Sequence, residues 1–328
     1  MKRTKLRVGV IMGGPSSERE ISLITGKAVC ENLDTKKYQV TPIEMTKDSR
    51  FIAKINNRKI VLDFVNKDRK RFDCIFIALH GTPGEDGTVQ GMFEALQIPY
   101  TGPNTLSSAL AMNKIFAAQV YYANGLPHPT FIHFKKDGWK NNRAKILADM
   151  QAKVAYPAVV KPADQGSAVG VSIVKNETEL IKAVEKTIKK FSWLMVQKFI
   201  RGKEATCGVI EVDRKIMPLP PTRIVANLGE FYDYKSKYAK GGSTHICPAD
   251  FSPEVNEKIQ NLAMQAHLTL GCRGMSRTDI FVGDDDKLWV IETNTIPGMT
   301  PTSLFPEAAA KAGFSFAEVL DLIISASL

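Results

Sequence analysis

Two neighbouring segments near the carboxyl terminus carry oxygen-bearing side chains at alternating positions. Arg277 and Asp279 occupy alternate positions in MSRTDIFV, as do Glu292 and Asn294 at the end of LWVIETN. Successive side chains of a β-strand point to opposite faces, so each pair lies on one face of its strand. Carboxylate and amide oxygens are ligands that magnesium prefers, and magnesium usually shares them with nucleotide phosphates. This pattern predicts a metal-dependent phosphate site.

The turn GDDDK joins the two segments into a predicted hairpin. Folding at its centre places Asp279 opposite either Ile291 or Glu292, and the second register brings all four polar side chains together. The alternative is a sheet edge kept soluble by charge. That alternative explains the turn acids at 284–286 but not Asp279 and Glu292, which adjoin apolar strand residues. We therefore favour the metal site.

A second candidate site is the glycine-rich stretch KPADQGSAVGVSIV. Gly166 and Gly170 bracket Ser167 in a loop between two predicted antiparallel strands. Glycines let backbone N–H groups approach an anion closely and surround phosphate oxygens. The loop is not a Walker A motif, because it lacks the GK[ST] ending and the following helix. Taken alone, the stretch is explained equally well by an ordinary hairpin turn.

Three lysines lie at or near the ends of apolar elements. These are Lys114, Lys161 and Lys198, at positions where an isolated charge is costly without a partner. A triphosphate would be such a partner, although each lysine taken singly is more often a surface side chain with a buried stem. Glu204, after the turn RGK, is either a ribose ligand or a solvated acid at the start of a strand.

Two further polar residues occupy ends of elements in the amino-terminal part. Glu18 falls in the first turn of the first predicted helix. An acid at this position stabilises a helix by about 0.3 kcal/mol through its interaction with the helix dipole. The functional alternative is a carboxylate that binds an ammonium group. His80 ends the strand CIFIALH, at a position where the ligands of α/β proteins collect. A structural role for this histidine is equally open.

The composition is that of a soluble globular protein with two or three domains. The chain has 328 residues, of which 44% are apolar and 24% are charged. Its five cysteines show no CxxC pairing, which favours a reduced, cytoplasmic compartment. The formal charge of +10 permits a nucleic-acid partner, but the basic residues are spread along the chain. We therefore expect anionic small molecules as partners, with neither nucleic acid nor membrane.

Strand–loop–helix repetition predicts an amino-terminal parallel α/β domain over residues 1–102. Strands are predicted at 6–12 and 74–80, and QGMFEAL predicts a helix after the second. Ser17 and Glu20 have the spacing of a capping box, with Ser17 as N-cap of the first helix. A dinucleotide site is not expected, because the GxGxxG fingerprint is missing.

A central domain is predicted over residues 103–196. A single helix is expected to start at TLSSALAM and to end at Gly125. The strand at 157–161 leads through the glycine-rich loop to a second strand, VSIV, and ETELIKAVEKTIKK predicts a helix.

The third predicted domain covers residues 197–328. The strand 194–199 opens this region, and TCGVIEV is expected to supply its antiparallel partners. The polar segment 226–247 is too long for an ordinary connection, so we expect a lid over a functional site. A helix is predicted at 253–270, with Ser252 as N-cap, a proline at its first position and a glycine just past its end.

Six segments together resemble the D-alanine–D-alanine ligases of the ATP-grasp superfamily. They occur in the family's order and spacing over the whole chain: GGPSSEREISLITG, LHGTPGEDGTVQG, KPADQGSAVGVS, FYDYKSKY, GMSRTDIF and ETNTIPGMTPTSLFP. The resemblance implies an α/β protein with a three-domain ATP-grasp architecture, in which ATP is held between the two α+β domains. The implied reaction joins two D-alanines through an acyl phosphate, for peptidoglycan precursor synthesis.

The resemblance also implies roles for individual residues. Glu18 would bind the ammonium group of the first D-alanine, with His80 nearby, and Ser303 and Leu304 would meet the carboxylate of the second. The resemblance implies that ATP phosphates are bound by Lys114, Lys161, Lys237 and the loop at Gly166, and adenosine by Gln197, Lys198 and Glu204. It implies two magnesium ions, replaceable by manganese, on Asp279, Glu292 and Asn294. It also implies an oxyanion hole from Arg277 and the N–H of Gly298, and a hydrogen-bonded set of Ser167, Tyr238 and Glu204.

Some positions depart from the family pattern, and two other functions stay open. Gln197 stands where a glutamate is common, and Gln165 and Ala168 replace a usual glutamate and serine in the phosphate loop. One alternative is a D-alanine–D-lactate or other dipeptide ligase, although Tyr238 favours an amine acceptor. The other alternative is a non-catalytic protein that binds nucleotide or nucleic acid, against which Asp279 and its neighbours argue. A homodimer is expected from the resemblance.

Overall fold

The computed structural model describes residues 5–166, 169–227 and 241–328. Within these ranges the chain forms fifteen strands and nine helices, and the strands are arranged in three sheets. None of the helices in the described residues is both long enough and apolar enough to cross a membrane. The three sheets follow one another along the chain, and the clefts described below lie where they and their helices meet.

The amino-terminal sheet has five strands in the order β4-β3-β2-β1-β5, and β1 pairs in parallel with both β2 and β5. This confirms the predicted strand at 6–12. The strand predicted at 74–80 begins at Cys74 but ends at Ile77, so His80 lies in the loop that follows it and not at the strand end. The elements of this part are β1 (Leu6–Gly13), α1 (Arg19–Asn32), β2 (Tyr38–Met45), β3 (Phe51–Ile55), β4 (Arg58–Val61), β5 (Cys74–Ile77) and α2 (Thr88–Ala95).

Strands β2, β3 and β4 were not predicted from the sequence. A proline at position 42 interrupts the pattern of β2, and β3 and β4 are short. The sequence nevertheless contains a turn signal, the adjacent residues Asn56 and Asn57. In the structure both have positive φ, at 49° and 62°. Asparagines tolerate this left-handed backbone, and two of them between short apolar runs indicate a tight hairpin.

Helix α1 begins at Arg19 and its N-cap is Glu18, so the predicted capping box of Ser17 and Glu20 is wrong. The reason lies in the preceding turn. The carbonyl of Ser16 accepts a hydrogen bond from the N–H of Arg19 (3.1 Å), and the Ser16 hydroxyl accepts one from the N–H of Glu18 (3.1 Å). The helix therefore begins one residue later than predicted, and the side chain of Glu18 extends from its amino-terminal end.

The predicted helix ending at Gly125 is two helices, α3 (Thr105–Met112) and α4 (Lys114–Ala123). The backbone leaves the helical conformation at Asn113, whose side-chain oxygen accepts hydrogen bonds from the N–H groups of Ile115 and Phe116 (3.1 and 3.2 Å). Asparagine is a favoured N-cap because it satisfies these donors. The break puts Lys114 at the first position of a helix.

The central sheet has the order β6-β9-β7-β8, with every pair antiparallel. The predicted pairing of PAVVK with VSIV is confirmed. The prediction that TCGVIEV pairs with LMVQKF is wrong, because β9 is apolar and lies buried between β6 and β7. The elements here are β6 (Phe131–Lys135), α5 (Lys136–Lys153), β7 (Ala158–Pro162), β8 (Ser172–Val174), α6 (Glu177–Thr187) and β9 (Trp193–Lys198).

The carboxyl-terminal sheet has the order β13-β12-β10-β14-β15, with β11 also paired to β10. Its strands are β10 (Gly202–Val212), β11 (Lys215–Pro218), β12 (Thr222–Ala226), β13 (Ser243–Ile246), β14 (Met275–Gly283) and β15 (Leu288–Asn294), and its helices are α7 (Pro253–Thr269), α8 (Leu304–Lys311) and α9 (Phe316–Ser325). Ser252 is the N-cap of α7, as predicted. Within the predicted lid, residues 243–246 form a strand paired with β12, and residues 228–240 lie outside the described part.

The amino- and carboxyl-terminal parts share one hydrophobic core. Met275, Phe305 and Leu320 belong to the same buried cluster as the strands of the amino-terminal sheet. At the surface of this contact, Nζ of Lys37 lies 2.7 Å from a carboxylate oxygen of Asp321. Burial of apolar surface in this shared core fixes the amino-terminal sheet against α8 and α9. The predicted boundary at 196/197 falls inside β9, so the division into three domains stays a prediction.

Candidate active site

The hairpin β14–β15 has the register that brings its polar side chains together. Asp279 pairs with Glu292, and Arg277 pairs with Asn294. A register shift follows, because Ile280 pairs with Val290 and leaves Ile291 as an extra residue. Such a bulge re-aims neighbouring side chains. The register favoured from the sequence is therefore confirmed, and the bulge is the reason that Ile291 and Glu292 both line one cleft.

The two carboxylates of this hairpin contact cationic or hydroxyl groups. Asp279 is 7% exposed, accepts a hydrogen bond from Thr206 (2.6 Å), and lies 3.1 Å from Nε of Arg277. Glu292 lies 3.0 Å from Nζ of Lys114 at the start of α4. Each carboxylate thus faces positive charge within about 3 Å, which is the environment that a divalent cation or a cation-bound phosphate would share.

The possible metal ligands are two carboxylates and one amide. Within the described ranges, His, Cys, Asp and Glu side chains form no group of three that could hold a metal ion. Asn294 would supply the third oxygen, and this oxygen accepts a hydrogen bond from the N–H of Ile296 (2.9 Å). This donor set contains only oxygen and leaves coordination positions for phosphate and water, as magnesium requires.

Lys161 is a buried ammonium group near the same hairpin. Its side chain is 5% exposed, and burial, together with the nearby charge of Lys114, lowers its pKa to about 7, while Glu292 acts in the opposite direction. A buried lysine keeps its charge only when an anion lies beside it. Lys114 in turn donates a hydrogen bond to the carbonyl of Gln165 (2.7 Å), at the edge of the glycine-rich loop. Two lysines thus converge beside this loop.

A cleft between the central and carboxyl-terminal sheets, the inter-sheet cleft, contains most of the residues predicted to bind nucleotide. It has a volume of about 150 Å³. Its walls are apolar side chains from both sheets, among them Val159, Ile173, Phe281 and Ile291. The polar lining residues include Lys114, Lys161, Gln165, Gln197, Lys198, Glu204, Asp279 and Glu292.

Gln197 lines this cleft and is 3% exposed. Among the described residues, no group donates a hydrogen bond to its side-chain oxygen. A buried acceptor without a partner costs about 1–3 kcal/mol. An amino group on a planar base between the apolar walls, such as that of adenine, would satisfy it.

A second cleft, the Glu18 cleft, has a volume of about 380 Å³ and opens between α1, the loop after β5, and the start of α8. Of the residues predicted to act on substrate or cofactor, it contains Glu18, His80, Lys114, Gly166, Arg277, Glu292, Asn294, Gly298, Ser303 and Leu304. Lys114 and Glu292 line both clefts. The two clefts therefore meet at this ion pair.

His80 is fixed in the Glu18 cleft by two polar neighbours. Its Nε2 lies 3.0 Å from the hydroxyl of Thr25, and its Nδ1 lies 3.3 Å from a carboxylate oxygen of Glu85. The ring is 6% exposed. Neither partner was predicted from the sequence, although Glu85 lies in the family segment LHGTPGEDGTVQG. The arrangement holds the ring beside Glu18 with a defined orientation.

The start of α8 forms the far wall of the Glu18 cleft. Ser303 is the N-cap of α8, and its hydroxyl lies 3.1 Å from the N–H and 2.8 Å from the hydroxyl of Thr300. A Cβ at Gly298 would lie 3.1 Å from the Ser303 hydroxyl, so a larger residue there would crowd the Ser303 side chain. The amino terminus of a helix attracts carboxylates, which agrees with the role expected of Ser303 and Leu304.

Three predicted residues lie outside the described part of the chain, namely Ser167, Lys237 and Tyr238. Their expected roles stay predictions. The sequence also did not predict the contact of Thr206 with Asp279 or the apolar walls of the inter-sheet cleft. These contacts depend on strand pairing across the sheet and have no local sequence signal.

Two family models match the chain, and both describe one family. The model for the D-ala D-ala ligase N-terminus matches residues 7–103, and that for the D-ala D-ala ligase C-terminus matches residues 120–325. The chain belongs to the D-alanine–D-alanine ligase family. This confirms the resemblance inferred from the six sequence segments.

Similar proteins cover the chain from end to end. A D-alanine–D-alanine ligase of Syntrophobacter fumaroxidans is 41% identical over 329 residues, which are 100% of this chain and 99% of that protein. The ligase of Carboxydothermus hydrogenoformans is 39% identical over 98% of both chains. Members of this ligase family are thus similar to the chain in both of its matched regions.

Solved structures with the same fold include ligases for two different acceptors. The D-alanine–D-alanine ligase of Bacillus anthracis complexed with ATP has a TM-score of 0.79 and 32% identity, over 98% of this chain and 97% of that one. The VanG D-Ala:D-Ser ligase of Enterococcus faecalis has a TM-score of 0.88 and 30% identity, over 99% and 100%. The predicted ATP-grasp fold is confirmed.

Proposed function

We propose that this protein joins two D-alanines to D-alanyl-D-alanine, with conversion of ATP to ADP and phosphate. The observation that carries this proposal is the meeting of the two clefts at Lys114 and Glu292. A nucleotide in the inter-sheet cleft would direct its terminal phosphate to this ion pair. An amino acid bound at Glu18 would direct its carboxylate to the same place. Family membership supports the same chemistry.

In the first step, a carboxylate oxygen of the first D-alanine attacks the γ-phosphorus of ATP. An oxygen–phosphorus bond forms, the bond to the bridging oxygen of ADP breaks, and the product is an acyl phosphate. Glu18 binds the ammonium group of this D-alanine, and Lys114 and Lys161 compensate the charge on the phosphate oxygens. Holding two reactants in one orientation accelerates their reaction substantially, because the entropic cost has been met on binding.

In the second step, the amine of the second D-alanine attacks the acyl carbon and phosphate leaves. The carbonyl oxygen gains negative charge as the tetrahedral intermediate forms. Arg277 and the backbone N–H of Gly298 stabilise this oxyanion, and Ser303 and Leu304 at the start of α8 bind the carboxylate of the second D-alanine. Fixed donors of this kind are most effective where water is excluded.

Magnesium suits the oxygen-only donor set of Asp279, Glu292 and Asn294. We propose two magnesium ions there, replaceable by manganese. When bound, they would supply neutralisation of charge on the phosphoryl oxygens. Asp279 is oriented for this role by Thr206 (2.6 Å), and the close cationic neighbours of both carboxylates show that this face of the hairpin accommodates positive charge.

A direct test is phosphate release from ATP, combined with mass detection of the amino-acid product. We expect phosphate and D-alanyl-D-alanine in equal amounts, only when D-alanine and magnesium are present. Parallel reactions with D-lactate and D-serine as second acceptors test the alternative ligases. Equal turnover of L-alanine, or ATP hydrolysis without any condensed product, would contradict the proposal. Strong salt-sensitive binding of oligonucleotides would favour the non-catalytic alternative.

Four further statements belong to the same proposal. We expect a homodimer, which light scattering tests directly. The division at 102 and 196 is tested by limited proteolysis, although the shared core predicts that the first and third parts stay associated. A cytoplasmic location and a role in peptidoglycan precursor synthesis complete the proposal.

A further inference from the structure

A histidine and a glutamate that the sequence did not single out form a pair on the Glu18 cleft. Nδ1 of His245 in β13 lies 3.1 Å from a carboxylate oxygen of Glu307 in α8. Nε2 of the same ring lies 3.2 Å from the hydroxyl of Ser243. The His245 side chain is 23% exposed and lines the cleft together with Ser303 and Leu304. The pair thus lies beside the residues proposed for the second D-alanine.

The contacts of the ring define which of its nitrogens can accept a proton. The carboxylate of Glu307 accepts a hydrogen bond from Nδ1–H, so Nε2 keeps its lone pair and can accept one from the Ser243 hydroxyl. A carboxylate on one nitrogen fixes the tautomer and stabilises the imidazolium that forms when the other nitrogen is protonated. His245 therefore has the arrangement of a histidine that serves as a base.

The other ionisable groups of the cleft are engaged in other ways. Lys114 and Arg277 are cations, Glu292 faces Lys114, and Glu18 is proposed to bind the first D-alanine. His80 makes contacts of the same kind, to Glu85 and Thr25, but its ring is only 6% exposed and it lies beside Glu18, at the site proposed for the first D-alanine. Around His245 itself, β12 places the apolar Ile224 opposite. Among the described residues, Glu307 of α8 contacts the ring, and Cys247 after β13 lies near Glu307 and Lys311.

We propose that His245, oriented by Glu307, takes the proton that the ammonium group of the second D-alanine must lose before it attacks. This inference rests on the ligation proposed above. The ammonium group gives one proton to Nε2, the resulting amine forms the new carbon–nitrogen bond, and the acyl carbon–oxygen bond breaks. The second amine proton leaves with phosphate as hydrogen phosphate, and the imidazolium then releases its proton to water. His245 is thus a catalytic residue and Glu307 a positioning residue.

The test compares two nucleophiles for the same acyl phosphate. D-alanine arrives as an ammonium ion, whereas hydroxylamine is largely uncharged at neutral pH and needs no base. We expect His245→Gln to lower dipeptide formation at saturating D-alanine about a hundredfold, the lower end of what a general base contributes. Formation of D-alanyl hydroxamate should stay within about twofold of the parent enzyme, and the deficit in dipeptide formation should shrink as rising pH converts the D-alanine ammonium group to the free amine, which needs no base.

Two further variants make the comparison decisive. Glu307→Gln keeps a hydrogen-bond acceptor for Nδ1 but removes the charge, so we expect a smaller loss in the kcat of dipeptide formation than in His245→Gln, with hydroxamate formation again unchanged. His133→Gln, an exposed histidine of β6, is the matched control and should leave both products unchanged.

An unchanged dipeptide rate and pH profile in His245→Gln would overturn the inference while leaving the ligation intact. An equal loss of dipeptide and hydroxamate in both His245→Gln and Glu307→Gln would also overturn it, because the pair would then support the fold or the first step. If the parent enzyme formed neither the hydroxamate from hydroxylamine nor the dipeptide from D-alanine, the proposed function itself would fail.

Discussion

Nζ of Lys114 lies 3.0 Å from Oε2 of Glu292, at the wall that the two clefts share. Lys114 occupies this point because α4 begins there, after the break at Asn113. Glu292 occupies it because a bulge at Ile291 re-aims the end of β15. Two local irregularities, which hydrophobic periodicity alone does not predict, thus bring Lys114 and Glu292 together at the point where the proposed reaction would join its two substrates.

Replacing Lys114 by methionine should weaken ATP binding more than D-alanine binding. The substitution keeps the apolar stem but removes the charge that faces the phosphates. A hydrogen bond to a charged group contributes about 1.5–3 kcal/mol, so we expect the KM for ATP to rise at least tenfold. The measurement is initial velocity against ATP at saturating D-alanine. Lys145→Met on the exposed side of α5 is the control, and a similar KM in both variants would contradict the assignment.

Asp279→Asn should lower turnover steeply while the protein stays folded. The amide has the shape of the carboxylate but cannot neutralise a cation, and the Thr206 contact places it in a buried position. Thr206→Val is the matched variant, because it removes only the hydroxyl; we expect a smaller loss and a higher magnesium requirement. Titration of activity with magnesium, with circular dichroism as the fold check, measures both. Parent-like activity of Asp279→Asn would mean that this hairpin is purely structural.

Arg277→Ala should lose about a hundred- to a thousandfold in kcat, the usual cost of removing one oxyanion donor. ATP binding should change much less, because Arg277 lines the Glu18 cleft and is not part of the inter-sheet cleft. Single-turnover kinetics separate the two effects. A loss confined to ATP affinity would place this guanidinium on the nucleotide instead.

Glu18→Gln should raise the KM for the first D-alanine far more than the KM for ATP. A carboxylate makes a charge-assisted bond to an ammonium group, which is about twice as strong as a neutral one. Steady-state kinetics at varied D-alanine and varied ATP give both constants. If both KM values stayed the same and only the free energy of unfolding fell, by about 0.3 kcal/mol, the residue would act on the helix dipole alone.

Two buried histidines should make the protein less stable in mild acid. Burial lowers the pKa of His267 to about 4, and burial together with the charge of Lys161 lowers the pKa of His128 to about 3. The unfolded chain takes up these protons near pH 6.5, whereas the folded protein does not until much lower pH. The stabilisation is therefore complete above pH 6.5 and is lost as the pH falls below it.

The expected size of this effect is about 2 kcal/mol for each histidine between pH 7.5 and pH 5. Denaturant titrations at the two pH values measure it. His267→Gln cannot titrate, so its unfolding free energy should change less with pH than that of the parent protein. An identical pH dependence in both proteins would show that other groups cause the acid sensitivity.

Much of the site could be predicted because its signals are local. Alternation along MSRTDIFV and LWVIETN indicated the shared face of Asp279 and Glu292, and the family motifs indicated other residues that line the Glu18 cleft, such as Glu18 and Ser303. The pairing of β9 with β6 and β7 could not be predicted, because an apolar strand is equally compatible with any buried neighbour. The pair of His245 and Glu307 is 62 residues apart in sequence and forms only through tertiary packing.

The capping error at the first helix has a different cause. Ser17 and Glu20 matched the spacing of a capping box, but the preceding turn gave the N-cap position to Glu18. A residue with a proposed role in substrate binding occupies the position that a good capping residue would take. Departures from the local rules are expected at functional sites, where the side chain is needed for another purpose.

The most direct test of the central claim follows an oxygen atom. D-alanine labelled with oxygen-18 in its carboxylate is incubated with ATP, magnesium and the enzyme, and the released phosphate is analysed by mass spectrometry. If the carboxylate attacks the γ-phosphorus and phosphate leaves from the acyl carbon, each phosphate carries one labelled oxygen. Unlabelled phosphate in a reaction that still makes D-alanyl-D-alanine would contradict the acyl-phosphate route and the proposed meeting of two substrates at Lys114 and Glu292.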